Sequence, residues 1–69
     1  MNLKTLRRKR LLTQVELAKL VGVDHTFISH IESGRRLPSY AVAKRIAQAL
    51  RCAIDDLDLE LGDGSMDKN

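Results

Sequence analysis

The chain has 69 residues, enough for one small domain but not for a nucleotide-binding α/β sheet or a barrel. One cysteine (Cys52) and two histidines provide neither an internal disulfide nor a four-ligand zinc site, so no metal or cofactor is expected and packed helices must carry the fold. The formal charge of +3 hides an asymmetry: residues 1–51 hold eleven Lys and Arg against three acids, and residues 52–69 hold one Lys against six acids, which suggests a polyanion-facing body and an end that faces elsewhere.

Apolar spacing and capping residues divide the chain into short helices. Leu3 and Leu6 share a face, Asn2 is the N-cap, and the first helix is expected to reach Arg10. Thr13-Gln-Val-Glu16 fits a capping box opening a second helix, which runs to about Val21 and stops at Gly22. Asp24 caps a third helix that ends at Gly34 after Ser33. Arg35-Arg36-Leu37-Pro38 forms a basic loop, and Ser39 caps a fourth helix whose Val42, Ala43, Ile46, Ala47, Ala49 and Leu50 fall on one arc. A short fifth helix is expected near Ile54–Leu61, although Leu57, Leu59 and Leu61 also alternate as in a strand. The pattern predicts an all-α bundle over residues 1–61 and a disordered polar tail over 62–69.

On the third helix, His25, Thr26, Ser29, His30 and Ser33 occupy an arc of about 140°, and Phe27, Ile28 and Ile31 occupy the other side. Solvated helix faces usually carry Lys and Glu. Short hydroxyls and imidazoles instead suit an approach to base edges. Two short helices joined by Gly22-Val23-Asp24 form a helix-turn-helix pattern over about 14–33, whose second helix enters the major groove. Gln14 then stands at a helix N-terminus suited to a phosphate, and Arg35 and Arg36 follow the groove helix directly. Two aromatics, Phe27 and Tyr40, are too few for single-strand stacking, which favours a duplex. Arg7 beside Leu3 and Leu6, and Glu32 at the edge of the apolar arc, are both awkward charges that a mutual ion pair resolves.

Leu12-Thr-Gln-Val-Glu-Leu-Ala18, Gly22-Val23, Ile28-Ser29, Ile31-Glu32-Ser-Gly34 and Pro38-Ser39 resemble the phage-repressor/Cro-type helix-turn-helix family, over roughly residues 3–61. The resemblance implies a compact five-helix, lambda-repressor-like domain that binds operator DNA as a dimer. It implies base reading from His25, Thr26, Ser29 and His30. It also implies backbone contacts from Gln14, from the Ser33-Gly34-Arg35 turn, and from the amides near Ser39 and Tyr40. Thr13, Arg36 and Arg10 complete the expected phosphate-contacting set, and family members form the Arg7–Glu32 bridge. Leu11 and Arg51 depart from the family, which often has Gly or Asn at the first position and Gly at the second. Ala53 replaces the usual capping Ser or Thr of the fifth helix.

His25 and His30, five apart, neither chelate together nor form a dyad readily, Cys52 reads as core filler, and the acids of 55–60 lack calcium-loop spacing. No enzyme activity is expected. The unpaired thiol and the lack of an export signal favour a reducing cytoplasm, and no apolar run approaches a membrane span. The sequence reads as a sequence-specific regulator of transcription, a repressor acting as a homodimer through Ile54, Leu57, Leu59 and Leu61. An antitoxin binding both a toxin and its own promoter, or a protein-interaction module retaining the fold, remain as alternatives.

Overall fold

Each helix begins where a short polar side chain takes up an amide that the helix itself leaves without an acceptor. In the computed structural model, which describes residues 2–62, these are α1 (Leu3–Lys9), α2 (Gln14–Val21), α3 (His25–Ser33) and α4 (Tyr40–Ala49). Asn2 Oδ1 accepts from Thr5 N–H at 2.8 Å, Asp24 Oδ1 from Thr26 N–H at 3.2 Å, and Ser39 Oγ from Val42 N–H at 3.3 Å. Thr13 and Glu16 close the expected capping box in both directions, at 3.0 and 2.8 Å. These bonds hold the Glu16 carboxyl below its ordinary range, the backbone amide of Thr13 contributing most.

Two helix ends need a left-handed residue, and glycine supplies it at Gly22 (φ 86°) and Gly34 (φ 81°). Two other turns use side-chain-bearing residues, Leu11 (φ 59°) and Arg51 (φ 57°). A left-handed conformation costs such a residue ~1–2 kcal/mol. Leu11 gains nothing in return, being 89% exposed. Leu11→Gly is therefore expected to stabilise the domain by about 1 kcal/mol, raising Tm by roughly 4–8 °C in thermal denaturation.

The core gathers Leu3 and Leu6 from α1, Leu17, Ala18 and Val21 from α2, Phe27, Ile28 and Ile31 from α3, and Ile46 and Ala47 from α4. Leu50 and Leu57 complete it, and Val42, Ala49 and Cys52 pack against its edge. Burial pushes the Cys52 thiol up, which keeps it protonated and suits a packing role. α2 lies against both α3 and α4, so the helix-turn-helix is fixed by apolar contact as well as by its turn.

The described residues are all-helical with no strand, as the spacing predicts, but they hold four α-helices where five were expected. The anticipated fifth helix over Ile54–Leu61 is a single 3-10 turn, Ile54–Asp56, followed by an extended Leu57 and chain without regular secondary structure to residue 62. Ala53 has no side-chain oxygen to cap it, so Asp56 Oδ2 reaches back to Ala53 N–H at 3.2 Å. A continued helix would also set Asp55 against Asp58 and Asp56 against Glu60, like charges on one face. Without a continued helix Leu57 enters the core and Leu59 packs at its edge, while Asp58 and Glu60 lie at exposed positions. Apart from Gly62, the tail expected over 62–69 lies outside the described residues.

Candidate nucleic-acid interface

The same residues that bury one side of α3 present the other. Phe27, Ile28 and Ile31 face the core, His25, Thr26 and Ser33 are exposed, and Ser29 and His30 are half-buried. The exposed stripe carries hydroxyls and imidazoles along its whole length. At its leading end, His25 Nδ1 lies 3.9 Å from Asp24 Oδ1, so the capping carboxylate also attends the first imidazole. At its trailing end, Ser33 Oγ donates to the His30 carbonyl at 3.2 Å.

Arg7 and Glu32 meet. Arg7 Nε donates to Glu32 Oε2 at 2.6 Å and Arg7 Nη2 to Glu32 Oε1 at 3.3 Å, with side chains only 10% and 5% exposed. Arg7 Nη1 donates to the Leu12 carbonyl at 2.8 Å, and Gln14 Nε2 donates to Glu32 Oε1 at 3.0 Å. One guanidinium thus ties α1, the connection into α2 and the end of α3 together, and among the described residues no buried side-chain polar atom lacks a partner. Burial pushes the Glu32 carboxyl up, but hydrogen bonds from Arg7 and Gln14 and the charge of Arg7 outweigh it and leave the group below its ordinary range.

The network also aims Gln14. One of its two amide hydrogens is committed to Glu32, and the other remains available at the N-terminus of α2. Thr13 and Ser39, whose oxygens accept the capping bonds, keep their hydroxyl hydrogens as donors. The Ser33–Arg36 turn follows α3 directly, its Arg35 N–H bonded to the His30 carbonyl at 2.9 Å. The Arg36 guanidinium lies over the Phe27 ring, 5.7 Å from its centre, which limits the directions in which the charge can point.

Two expected residues have other engagements. Arg10 Nε donates to the Leu50 carbonyl at 2.7 Å and Nη2 to the Arg51 carbonyl at 3.5 Å, so this guanidinium closes the C-terminus of α4. No local spacing signals a bond across 40 residues. Tyr40 has its backbone amide at the start of α4, but the residue also lines a groove with Ala43, Ile54, Asp55, Leu57, Leu59 and Leu61. The Arg36–Phe27 stacking was missed in the sequence, where an aromatic on the preceding helix and a following basic turn were its only signal.

Comparison with known proteins identifies the family. The helix-turn-helix family model matches residues 3–57. The chain is 48% identical over 60 residues to an uncharacterised HTH-type transcriptional regulator of Methanothermobacter thermautotrophicus, covering 84% of this chain and 87% of that protein. It is 44% identical over 45 residues to the ImmF control region 10 kDa protein of Bacillus phage phi105, covering 65% of this chain and 50% of the phage protein. Identity to the HTH-type transcriptional repressor RghR of Bacillus subtilis is 39% over 61 residues, 87% of this chain and 45% of that one. The chain therefore spans about half the length of the phage and Bacillus relatives and most of the archaeal one. None of its described helices is long and apolar enough to cross a membrane. With residues 3–57 matched by the family model and an archaeal relative 48% identical over most of both chains, the chain belongs to the helix-turn-helix family of DNA-binding transcriptional regulators, of the phage-repressor/Cro type.

Proposed function

We propose that this chain is a sequence-specific repressor that lays α3 in the major groove of duplex DNA. His25, Thr26, Ser29 and His30 read base edges. Thr13, Gln14, Ser33, Gly34, Arg35, Arg36, Ser39 and the amide of Tyr40 meet the flanking phosphates. The observation that carries this reading is the accessible, uncharged stripe of α3 set opposite its buried apolar side. Hydroxyls there serve as donor or acceptor, and an imidazole nitrogen reaches purine N7 or O6, without the uniform attraction that a lysine would add. Arg10 drops out of the phosphate-contacting set because its guanidinium holds the end of α4.

The repressor acts as a homodimer through the groove of Tyr40, Ile54, Leu57, Leu59 and Leu61. Leu57 is already buried within the protomer. Tyr40 at 56% exposed and Leu61 at 45% are the apolar groups that gain from a second copy. A two-fold pair of groove helices implies two half-sites about 34 Å apart. Selection of bound sequences from random duplex DNA by the purified chain tests both statements. A palindromic site with that spacing is the expected result. Absence of any enriched sequence overturns base reading, and an enriched single half-site overturns the dimer.

A further inference from the structure

The two left-handed residues that carry side chains stand around one cleft. Leu11 follows α1 and Arg51 follows α4, doing there what Gly22 and Gly34 do after α2 and α3. Arg10 joins these two helix ends through its bonds to the Leu50 and Arg51 carbonyls. Beside the junction lies an open cleft of about 330 Å³ lined by Arg10, Leu12, Leu20, Ala49 and Arg51. Leu11, almost fully exposed, lies in the chain between two of these lining residues. Leu20 is 62% exposed in the last turn of α2, where a lysine or glutamate would serve the helix as well. Nothing within the domain offsets the cost of these leucines in water or of the strained backbone beside them. Such strain collects at functional surfaces, and grouped apolar exposure marks contact with another molecule.

We propose that this cleft docks an acidic, leucine-bearing segment of a partner protein, on a surface separate from the one that meets DNA. Its lining sets apolar side chains between two guanidinium groups and includes no carboxylate. The complementary segment therefore brings leucine-sized side chains flanked by Asp or Glu, whose carboxylates suit the guanidinium fork. A lysine-rich segment would meet like charge. A second copy turned onto the same patch would set Arg10 and Arg51 against their own counterparts. The acidic end of a second copy fits no better, because its Leu57 is buried and its Leu59 half-buried in its own domain. A different protein is left as the occupant. No lining residue belongs to the base-reading or phosphate-contacting sets of the proposed function, so a partner held here leaves α3 free for DNA.

Panning a library of random short peptides against the full chain tests the docking site. Sequences that combine Leu or Phe with Asp or Glu are expected to be enriched. They should bind about tenfold more tightly than the same peptides with Lys in place of each acid. Leu11→Gly with Arg51→Gly is the decisive variant, because glycine suits both left-handed positions. Its Tm is expected to rise while its affinity for the enriched peptides falls about tenfold, the trade of binding against stability that a functional surface shows. A purely structural role for the two residues would raise Tm and leave peptide affinity unchanged. Leu20→Ser, at an exposed position, should weaken the same peptides by about fivefold. Saturating duplex DNA should leave peptide affinity within about twofold of its value. Enrichment of no acidic apolar sequence, equal binding of the lysine counterparts, unchanged affinity in the double glycine variant, or displacement by DNA each overturns the docking site. Self-association of the wild-type chain that disappears in Leu20→Ser, with no peptide enriched, would assign the patch to a second copy and likewise overturns it.

Discussion

Arg7→Ala is expected to destabilise the domain by about 3–5 kcal/mol, the cost of leaving a buried carboxylate without its partner. A domain of this length is stable by only ~3–10 kcal/mol, so the variant should be largely unfolded near physiological temperature. The loss is large because Arg7 serves two acceptors, Glu32 and the Leu12 carbonyl, and Gln14 relies on the same carboxylate. Glu32→Met alone should be similarly damaging. Replacing both charges by methionine should cost much less than the two single losses added together, giving a coupling of at least about 1.5 kcal/mol by chemical denaturation. The pH dependence follows from the same geometry. Glu32 titrates below its ordinary value of 4.5 in the folded chain, so its contribution is fully present above that pH and is lost as pH falls through the lowered native value. In Glu32→Gln this part of the acid sensitivity should vanish, and persistence of the full wild-type acid profile would show that the pair contributes nothing.

Ile28→Ala carries the second large effect. Ile28 is completely buried on the apolar side of α3, and its removal leaves a cavity beneath the helix assigned to the groove. The expected loss is ~2–5 kcal/mol in denaturant unfolding. Because Ile28 points away from the exposed stripe, variant protein that remains folded at low temperature should keep the wild-type base preference. A loss below about 1 kcal/mol would mean that α3 is held by its end contacts rather than by its buried face.

The parts of the fold that chemistry decides locally were legible in the sequence. Thr13 with Glu16, Asp24, and Ser39 each act on amides two or three residues away, and Gly22 and Gly34 end helices because only the next turn constrains them. The Arg7–Glu32 pair was legible for a different reason, since each charge was out of place on an apolar face and each needed the other. The C-terminal segment was not. Ile54, Leu57 and Leu61 satisfy a helical period while Leu57, Leu59 and Leu61 satisfy a strand period, and the choice depends on Leu57 reaching the core and Gly62 reaching Pro38. The bond from Arg10 to the Leu50 carbonyl was not legible either, because the two meet only once the ends of α1 and α4 are packed together.

For the candidate site, the residue types on α3 were readable but their accessibility was not. Burial of Thr26 within the domain would have removed the base-reading interpretation, and its exposure keeps it. The sequence showed nothing of the bond from Gln14 to Glu32, and of Arg36 over Phe27 only an aromatic followed by a basic turn. Those contacts turn two flexible side chains into directed ones, which lowers the entropy lost on binding.

The central claim is that the hydroxyl-and-imidazole stripe chooses the bases while the turn beside it only holds the backbone. Its most direct test is the profile of preferred sequences bound by Thr26→Ala, His30→Ala and Arg36→Ala, each measured against the wild-type chain. The first two are expected to change preference at distinct positions of the site by ~1–3 kcal/mol of discrimination, and Arg36→Ala to weaken all sequences alike. Uniform weakening by all three, with every base preference preserved, would contradict it.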